Sequence, residues 1–167
     1  MVTDAEAQRI LGYLQQQAAE KSTEELISRV TEAVHEIHES AITVPPARRE
    51  IVPDGDEWSP GDALRHLVGS NMHVSTQILH VALTGELSGG EEQTPAGPFE
   101  EVIARHDEAM ESLFAHVREA DPGANLNVKW RHPFFGDLNW REWLIFLRIH
   151  CRDHARQIAA MVDGPAS

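Results

Sequence analysis

Cysteine is nearly missing from this sequence, since Cys151 is the only one among 167 residues. A single cysteine excludes a disulfide within the chain and fits a reducing compartment. Long apolar stretches are missing too, because no run approaches the roughly 18 residues that would cross a bilayer. The opening segment MVTDAEAQRI lacks the basic region and apolar stretch of a secretory signal. We therefore expect a cytoplasmic protein.

Positive charge is also scarce. Lysine and arginine together number 14 against 27 acidic residues, which gives a formal net charge of −13. Sequence-independent binding to DNA or RNA requires a basic surface against the phosphates, and binding to anionic membranes requires the same. The charge therefore predicts partners that are neither nucleic acid nor membrane. The remaining composition, 41% hydrophobic and 25% charged, is ordinary for a globular protein and predicts one domain over residues 1–167.

What the sequence does contain is apolar residues at helical spacing, which indicates an all-α fold. Capping patterns and helix-starting prolines mark where the helices begin. The predicted starts follow Thr3, Ser22, Ser59, Pro98 and Asn139. The first helix is short and ends near Ala19, so we expect a four-helix bundle of antiparallel type with a short extra N-terminal helix. The links at 85–97 and 121–138 are long enough for overhand crossings, and a brief extended piece is predicted at 127–130.

Two histidines interrupt the apolar face of the last predicted helix. Its recurring positions include Trp143, Leu147, Ile158 and Met161. His150 and His154 fall on the same face, where each ring nitrogen needs a partner. Side chains four apart on a helix can share a metal ion, and they can equally be core or rim histidines with ordinary partners. Because the chain has ten histidines, the HxxxH spacing alone is weak evidence.

A reactive zinc-type site uses three protein ligands and leaves a position for water, so a third ligand is expected. His66 is the best candidate because it lies between Leu64 and Leu67 near the start of its helix. His73 and His80 follow at seven-residue steps and are read as surface histidines, although the stripe could line a cavity. In a closed metal site, His73 is one possible fourth ligand. A core role for His66 also stays open.

Five further polar residues have two readings each. Asp153 is a surface acid or a fourth ligand, and Cys151 is a small buried hydrophobe or a residue at the border of the site. Gln157 either orients a ligand or has no such role. His132 belongs to a turn or to the rim of a pocket, and His106 is a packing or surface group. No catalytic residue is assigned from the sequence.

Three stretches resemble the DinB/YfiT superfamily of bacterial metal-binding helical bundles. They are WSPGDALRH at 58–66, HPFFGDLNWREWL at 132–144 and HCRDHARQI at 150–158. The resemblance implies a four-helix bundle with unusual connectivity, frequently a homodimer, with a divalent metal ion in a three-histidine site. The matching positions are His66, His150 and His154, and Zn²⁺ or Ni²⁺ is the expected ion.

The same resemblance implies an activity. Characterised relatives include S-transferases that use bacillithiol, glutathione-like thiols or mycothiol, and a mycothiol-dependent maleylpyruvate isomerase. We therefore expect a metal-dependent thiol S-transferase that combines a low-molecular-weight thiol cosubstrate with a small electrophile. Two alternatives stay open: a non-catalytic metal-binding or sensor module, and a metal-dependent hydrolase.

Overall fold

The computed structural model describes residues 2–163. Within that range the chain forms five α-helices and one two-stranded hairpin. The helices are α1 (Asp4–Glu20), α2 (Thr23–Ile42), α3 (Pro60–Thr84), α4 (Phe99–Val117) and α5 (Trp140–Asp163), and the strands are β1 (Trp130–His132) and β2 (Gly136–Leu138). No helix in this part of the chain is both long and apolar enough to span a membrane.

The helices begin where capping chemistry predicts. Capping boxes open α1, α2 and α3 at Thr3, Ser22 and Ser59. In α3, the Ser59 hydroxyl accepts the Asp62 N–H at 3.1 Å, and the Asp62 carboxylate accepts the Ser59 N–H at 3.0 Å. At α5, the Asn139 side chain accepts the Glu142 N–H at 3.0 Å, and the Glu142 carboxylate accepts the Asn139 N–H. These reciprocal bonds satisfy N–H groups that a helix start leaves unpaired, so the predicted boundaries are confirmed.

Helices α2 to α5 form a four-helix bundle. Helix α2 packs against α5 and α4, while α3 packs against α4 and α5. The short α1 packs on α5. Helices α2 and α3 are therefore diagonal partners, as are α4 and α5. The connections that join these pairs, 43–59 and 118–139, cross the ends of the bundle from corner to corner.

Helices α2 and α5 run parallel. Arg141 at the start of α5 donates to the Thr23 hydroxyl at the start of α2, at 2.9 Å. At the other end, Arg48, just past α2, donates to the carbonyl oxygen of Val162 near the end of α5, at 2.7 Å. The two helices thus share both ends of the bundle.

Helices α3 and α4 are parallel as well, because the link between them returns along α3. The Gln77 side chain in α3 accepts the Ser88 N–H at 2.9 Å and donates to the Ser88 carbonyl at 2.8 Å. A Cβ at Gly69 would lie 2.6 Å from a backbone oxygen of this link, so the helix needs glycine there. Early in α3, Arg65 donates to the carbonyl of Gly97, just before α4. The link is an overhand crossing, as its length allowed.

The other two neighbouring pairs are antiparallel. Arg118, just past α4, donates to the carboxylate of Glu24 at the start of α2, at 2.6 Å. Helix α3 starts at the end of the bundle where α2 ends, since the Gly61 N–H donates to the carbonyl of Arg49, just past α2, at 2.7 Å. It therefore runs antiparallel to α2, and so also to its neighbour α5, which is parallel to α2. The predicted four-helix bundle is confirmed, and half of its neighbouring pairs have the antiparallel arrangement.

The connection before α5 contains the hairpin β1–β2, where the sequence predicted only an extended piece at 127–130. Its turn closes on His132, whose Nδ1 accepts the N–H groups of Phe134 and Phe135 at 3.1 and 3.3 Å. Gly136 adopts a positive φ of 81°, which favours glycine. Strands of three residues are too short to show an alternating pattern, so the hairpin had no clear sequence signal.

Buried apolar side chains fill the bundle in two clusters. The aromatic core, beside the first half of α5, includes Phe114, Phe135, Trp140, Trp143, Phe146 and Leu147. The aliphatic core, beside the second half of α5, includes Ile37, Leu67, Val102, Cys151, Ala155 and Ile158. The predicted apolar face of α5 is confirmed, with His150 and His154 both half-buried.

Candidate metal centre

Three histidines from two helices converge beside the aliphatic core. His66 comes from α3, and His150 and His154 come from α5. One ring nitrogen from each lies within 4.8 Å of the other two. The ring centroids are 6.0 Å apart for His66 and His150, 5.4 Å for His66 and His154, and 4.8 Å for His150 and His154. The structure thus brings together the three residues that the sequence predicted, in a group that could hold a metal ion.

Local structure explains the convergence. His150 and His154 are four residues apart and therefore lie on one face of α5. His66 is two turns into α3, which begins at the Ser59 cap and packs antiparallel to α5. The indole of Trp58 lies 4.9 Å from the His66 ring, centroid to centroid, and packs against it.

The orientation of His150 depends on a buried amide. Its Nδ1 lies 2.9 Å from the side-chain oxygen of Asn71, which is fully buried in α3. The Asn71 amide nitrogen in turn lies 2.9 Å from Nε2 of His106 in α4, and 3.4 Å from the Cys151 sulfur. Because the amide oxygen only accepts, His150 donates from Nδ1 and its Nε2 lone pair is left for a cation.

His154 has a similar partner. Its Nδ1 lies 2.7 Å from the side-chain oxygen of Gln157, one turn further along α5. The amide oxygen accepts the proton of Nδ1, so this ring also keeps Nε2 available. The sequence left the role of Gln157 open, and the structure gives it a contact that orients His154, one of the three clustered histidines.

Burial keeps these imidazoles uncharged. It lowers the pKa of His150 to about 3, and the neighbouring His154 and His66 lower that pKa further. Burial also lowers the pKa of His154, against the opposing effect of its hydrogen bond to Gln157. Both rings are neutral at pH 7, which is the form that binds a metal ion. Three imidazoles are a donor set that Zn²⁺, Ni²⁺, Co²⁺ and Cu²⁺ accept, so the residues fit a divalent ion.

The residues considered as a fourth ligand lie elsewhere. The Asp153 side chain is 65% exposed and lies 3.7 Å from Arg156, so it is a surface acid. His73 lines a groove between α3 and the link that follows it. His80 Nδ1 contacts the Glu86 carbonyl in the same link, at 2.6 Å. Within residues 2–163, no fourth histidine, cysteine or carboxylate joins the three.

Cys151 and His132 are buried side chains that lie outside the three-histidine group. The Cys151 thiol is fully buried in the aliphatic core, and burial raises its pKa to about 12. His132 is stacked on Phe135 with centroids 4.3 Å apart and lies 4.6 Å from Phe146, whose ring stacks on His150. Burial lowers the pKa of His132 to about 4. His132 is thus part of the hairpin turn and contacts Phe146, which in turn stacks on His150.

A cleft of about 490 Å³ lies next to the cluster. It is lined by Gly55, Asp56, Glu57, Trp58, Gln157 and Met161. Trp58 also packs on His66, and Gln157 also binds His154. A small molecule in this cleft would therefore contact the residues that pack on His66 and orient His154.

Asn71 and His106 are the residues of the site that sequence reasoning missed. Asn71 stands in an otherwise apolar face of α3 with Leu67 and Val74, and all three are buried. His106 stands between Val102 and other buried apolar residues of α4, at 2% exposure. A polar residue in an apolar stripe is a signal that it has a buried partner, but the sequence does not show which one.

Comparison with known proteins adds two findings. A family model described as the DinB superfamily matches residues 15–158. The crystal structure of TT2238, a four-helix bundle protein, aligns with a TM-score of 0.59 and 24% sequence identity, covering 83% of this chain and 99% of that one. At this identity the structural likeness supports the fold alone. No curated protein matches the chain.

Proposed function

The chain belongs to the DinB superfamily, and from that premise we propose that it is a divalent-metal-dependent thiol S-transferase acting on a small electrophile. The observation that carries the proposal is the convergence of three imidazoles, with no fourth ligand among residues 2–163, beside a cleft of substrate size. His66, His150 and His154 would hold the ion through their ring nitrogens.

The uncharged donor set suits thiol chemistry. No carboxylate among the ligands would offset the charge of a divalent ion, so the site would attract an anion. A Zn²⁺ or Ni²⁺ ion held by these residues would lower the pKa of a thiol and so favour thiolate chemistry at neutral pH. Asn71 and Gln157 hold the ligand rings in place, and Trp58 forms the wall between the cleft and His66.

The geometry supports an S-transferase over the two alternatives, a non-catalytic metal-binding module and a hydrolase. A structural metal site is closed by four protein ligands, and the expected fourth ligands, His73 and Asp153, both lie outside the cluster. A metal-dependent hydrolase is favoured by a general base, such as a carboxylate, next to the attacking water. The acidic residues of the cleft, Asp56 and Glu57, are exposed to solvent and do not belong to the group that could hold the ion.

The test is thiol-dependent turnover by the metal-loaded protein. A panel of glutathione, bacillithiol and mycothiol would be combined with monobromobimane and 1-chloro-2,4-dinitrobenzene, and the thioether products quantified by chromatography. We expect product formation above the uncatalysed rate with at least one thiol, and its loss in His66→Ala. His73→Ala is the matched control, because it removes a histidine from the same helix outside the cluster, and it should keep the activity. Full metal occupancy with no thiol-dependent consumption of any electrophile would overturn the proposal.

A further inference from the structure

We infer that Asn71 is the positioning residue of the metal centre, because it sets which nitrogen of His150 carries the proton, and that His106 holds Asn71 in the required orientation. The inference rests on the proposed function in taking His150 as a ligand. Its structural part, the proton position on His150, can be tested without any metal.

The geometry brings three helices to one amide group. Asn71 lies in the middle of α3 with no solvent exposure. Its oxygen faces His150 Nδ1 in α5 at 2.9 Å, and its nitrogen faces His106 Nε2 in α4 at 2.9 Å. The same nitrogen lies 3.4 Å from the Cys151 sulfur. The amide therefore has a partner for its oxygen and for its nitrogen, which holds the side chain in one place.

The orientation of the amide has a chemical consequence. With its nitrogen toward His106, only the oxygen is left for His150, so His150 must donate from Nδ1. In this tautomer the lone pair is on Nε2, the nitrogen left to face His66 and His154. A flipped Asn71 would present its N–H₂ group to His150 instead. The ring would then keep its lone pair on Nδ1 and its proton on Nε2, which blocks coordination through Nε2.

His106 favours the first of these two orientations when its Nε2 carries no proton. It is 2% exposed, and its Nε2 accepts from the amide nitrogen. Without an acceptor at this position the buried amide nitrogen of Asn71 would retain only the weak Cys151 contact, so the flipped amide would compete. The amide of Gln157 is less enclosed than that of Asn71, because it contacts His154 on a half-buried side of α5.

The first experiment measures the tautomer of His150 in metal-free protein by long-range ¹H–¹⁵N correlation at pH 7.5. We expect the proton on Nδ1. Asn71→Leu should shift His150 toward the tautomer with the proton on Nε2, whereas Asn71→Asp keeps an acceptor and should keep the proton on Nδ1. His106→Leu should give a mixture of the two forms. Ser75→Ala is the control, because Ser75 is buried one turn along α3 and binds only the Asn71 backbone carbonyl.

The second experiment measures Zn²⁺ affinity by competition with a chromogenic chelator, with thermal unfolding recorded for each variant. Asn71→Leu should weaken binding roughly 10–100-fold, as expected when the partner of a metal-binding histidine is removed. Asn71→Asp and Ser75→Ala should stay within about threefold of the parent protein. A purely structural role would lower the unfolding temperature and leave the tautomer and the affinity unchanged.

The two proposals fail separately. If Asn71→Leu keeps the proton of His150 on Nδ1, or binds Zn²⁺ as tightly as the parent, the inference about Asn71 is wrong while the metal centre stands. If the parent protein binds no Zn²⁺, the proposed function is wrong, and the tautomers of the metal-free variants still decide the inference. Should Asn71→Leu fail to fold, the comparison of His106→Leu with Ser75→Ala decides it.

Discussion

The two halves of the bundle are built from different side chains. Around the first half of α5, Trp140, Trp143 and Phe146 form a tightly packed aromatic core. Its polar atoms bond to nearby backbone, as in the 2.8 Å bond from the Trp140 indole to the Ala124 carbonyl. Around the second half, the aliphatic core borders imidazole nitrogens directed at one another. We therefore expect the aromatic half to supply much of the stability, because the histidine half places polar rings where apolar side chains could pack.

The largest expected effect is a loss of stability from a substitution in the aromatic core. Trp140 is fully buried, so Trp140→Ala removes a large apolar side chain and leaves a cavity. We expect the free energy of unfolding to fall by about 3–5 kcal/mol, measured by urea denaturation. Phe134→Ala is the control, because that ring is 62% exposed on the hairpin and its loss should cost less than about 0.5 kcal/mol. Equal losses in the free energy of unfolding from the two variants would contradict the stabilising role given to the aromatic core.

A smaller effect, dependent on pH, comes from the histidine half. Burial lowers the pKa of His106 to about 4, whereas an unfolded histidine titrates near 6.5. Below about pH 6.5 the unfolded chain takes up a proton that the folded chain does not. Each such histidine should therefore lower the free energy of unfolding by roughly 1.4 kcal/mol per pH unit down to about pH 4.

The variant that isolates this contribution is His106→Gln in metal-free protein. Its free energy of unfolding, followed from pH 7 to pH 4.5, should decline less steeply than that of the parent. His116→Gln is the matched control, because His116 lies on the exposed side of the same helix. Its free energy of unfolding should change with pH as steeply as that of the parent protein. A parallel decline in the parent and in His106→Gln would show that His106 is charged in the folded state.

The smallest expected effect concerns Cys151, which adjoins His150 in sequence but lies within the aliphatic core. With its pKa raised to about 12 by burial, the thiol should not react with a disulfide reagent until the protein unfolds. Cys151→Ala should lower the free energy of unfolding by about 1 kcal/mol and leave the metal content unchanged. Rapid labelling of the native protein, or loss of metal from the variant, would place this thiol in the site.

Local chemistry made part of the structure predictable. The helix starts at Thr3, Ser22, Ser59 and Asn139 follow from side chains that cap helices, and these act over three residues. The pairing of His150 with His154 follows from a spacing of four on one helix. The approach of His66 was predicted from its apolar neighbours and from the family motifs, which carry information on tertiary structure that spacing alone lacks.

Long-range contacts explain what was not predictable. The parallel course of α3 and α4 depends on the return path of their link, which is held by contacts such as that between Gln77 and Ser88. No local pattern distinguishes that path from a tight hairpin. Asn71 and His106 are 35 residues apart, and their contact exists only once α3 packs on α4. Their polarity was visible in the sequence, but their partnership was not.

The convergence of the three histidines on one ion is tested most directly by the metal content of the purified protein, determined by elemental analysis after loading with Zn²⁺ and gel filtration. We expect about one ion per chain in the parent protein and in His73→Ala, and less than about a tenth of an ion in His150→Ala. Full occupancy in His150→Ala, or none in the parent protein, would contradict the assignment of the centre to His66, His150 and His154.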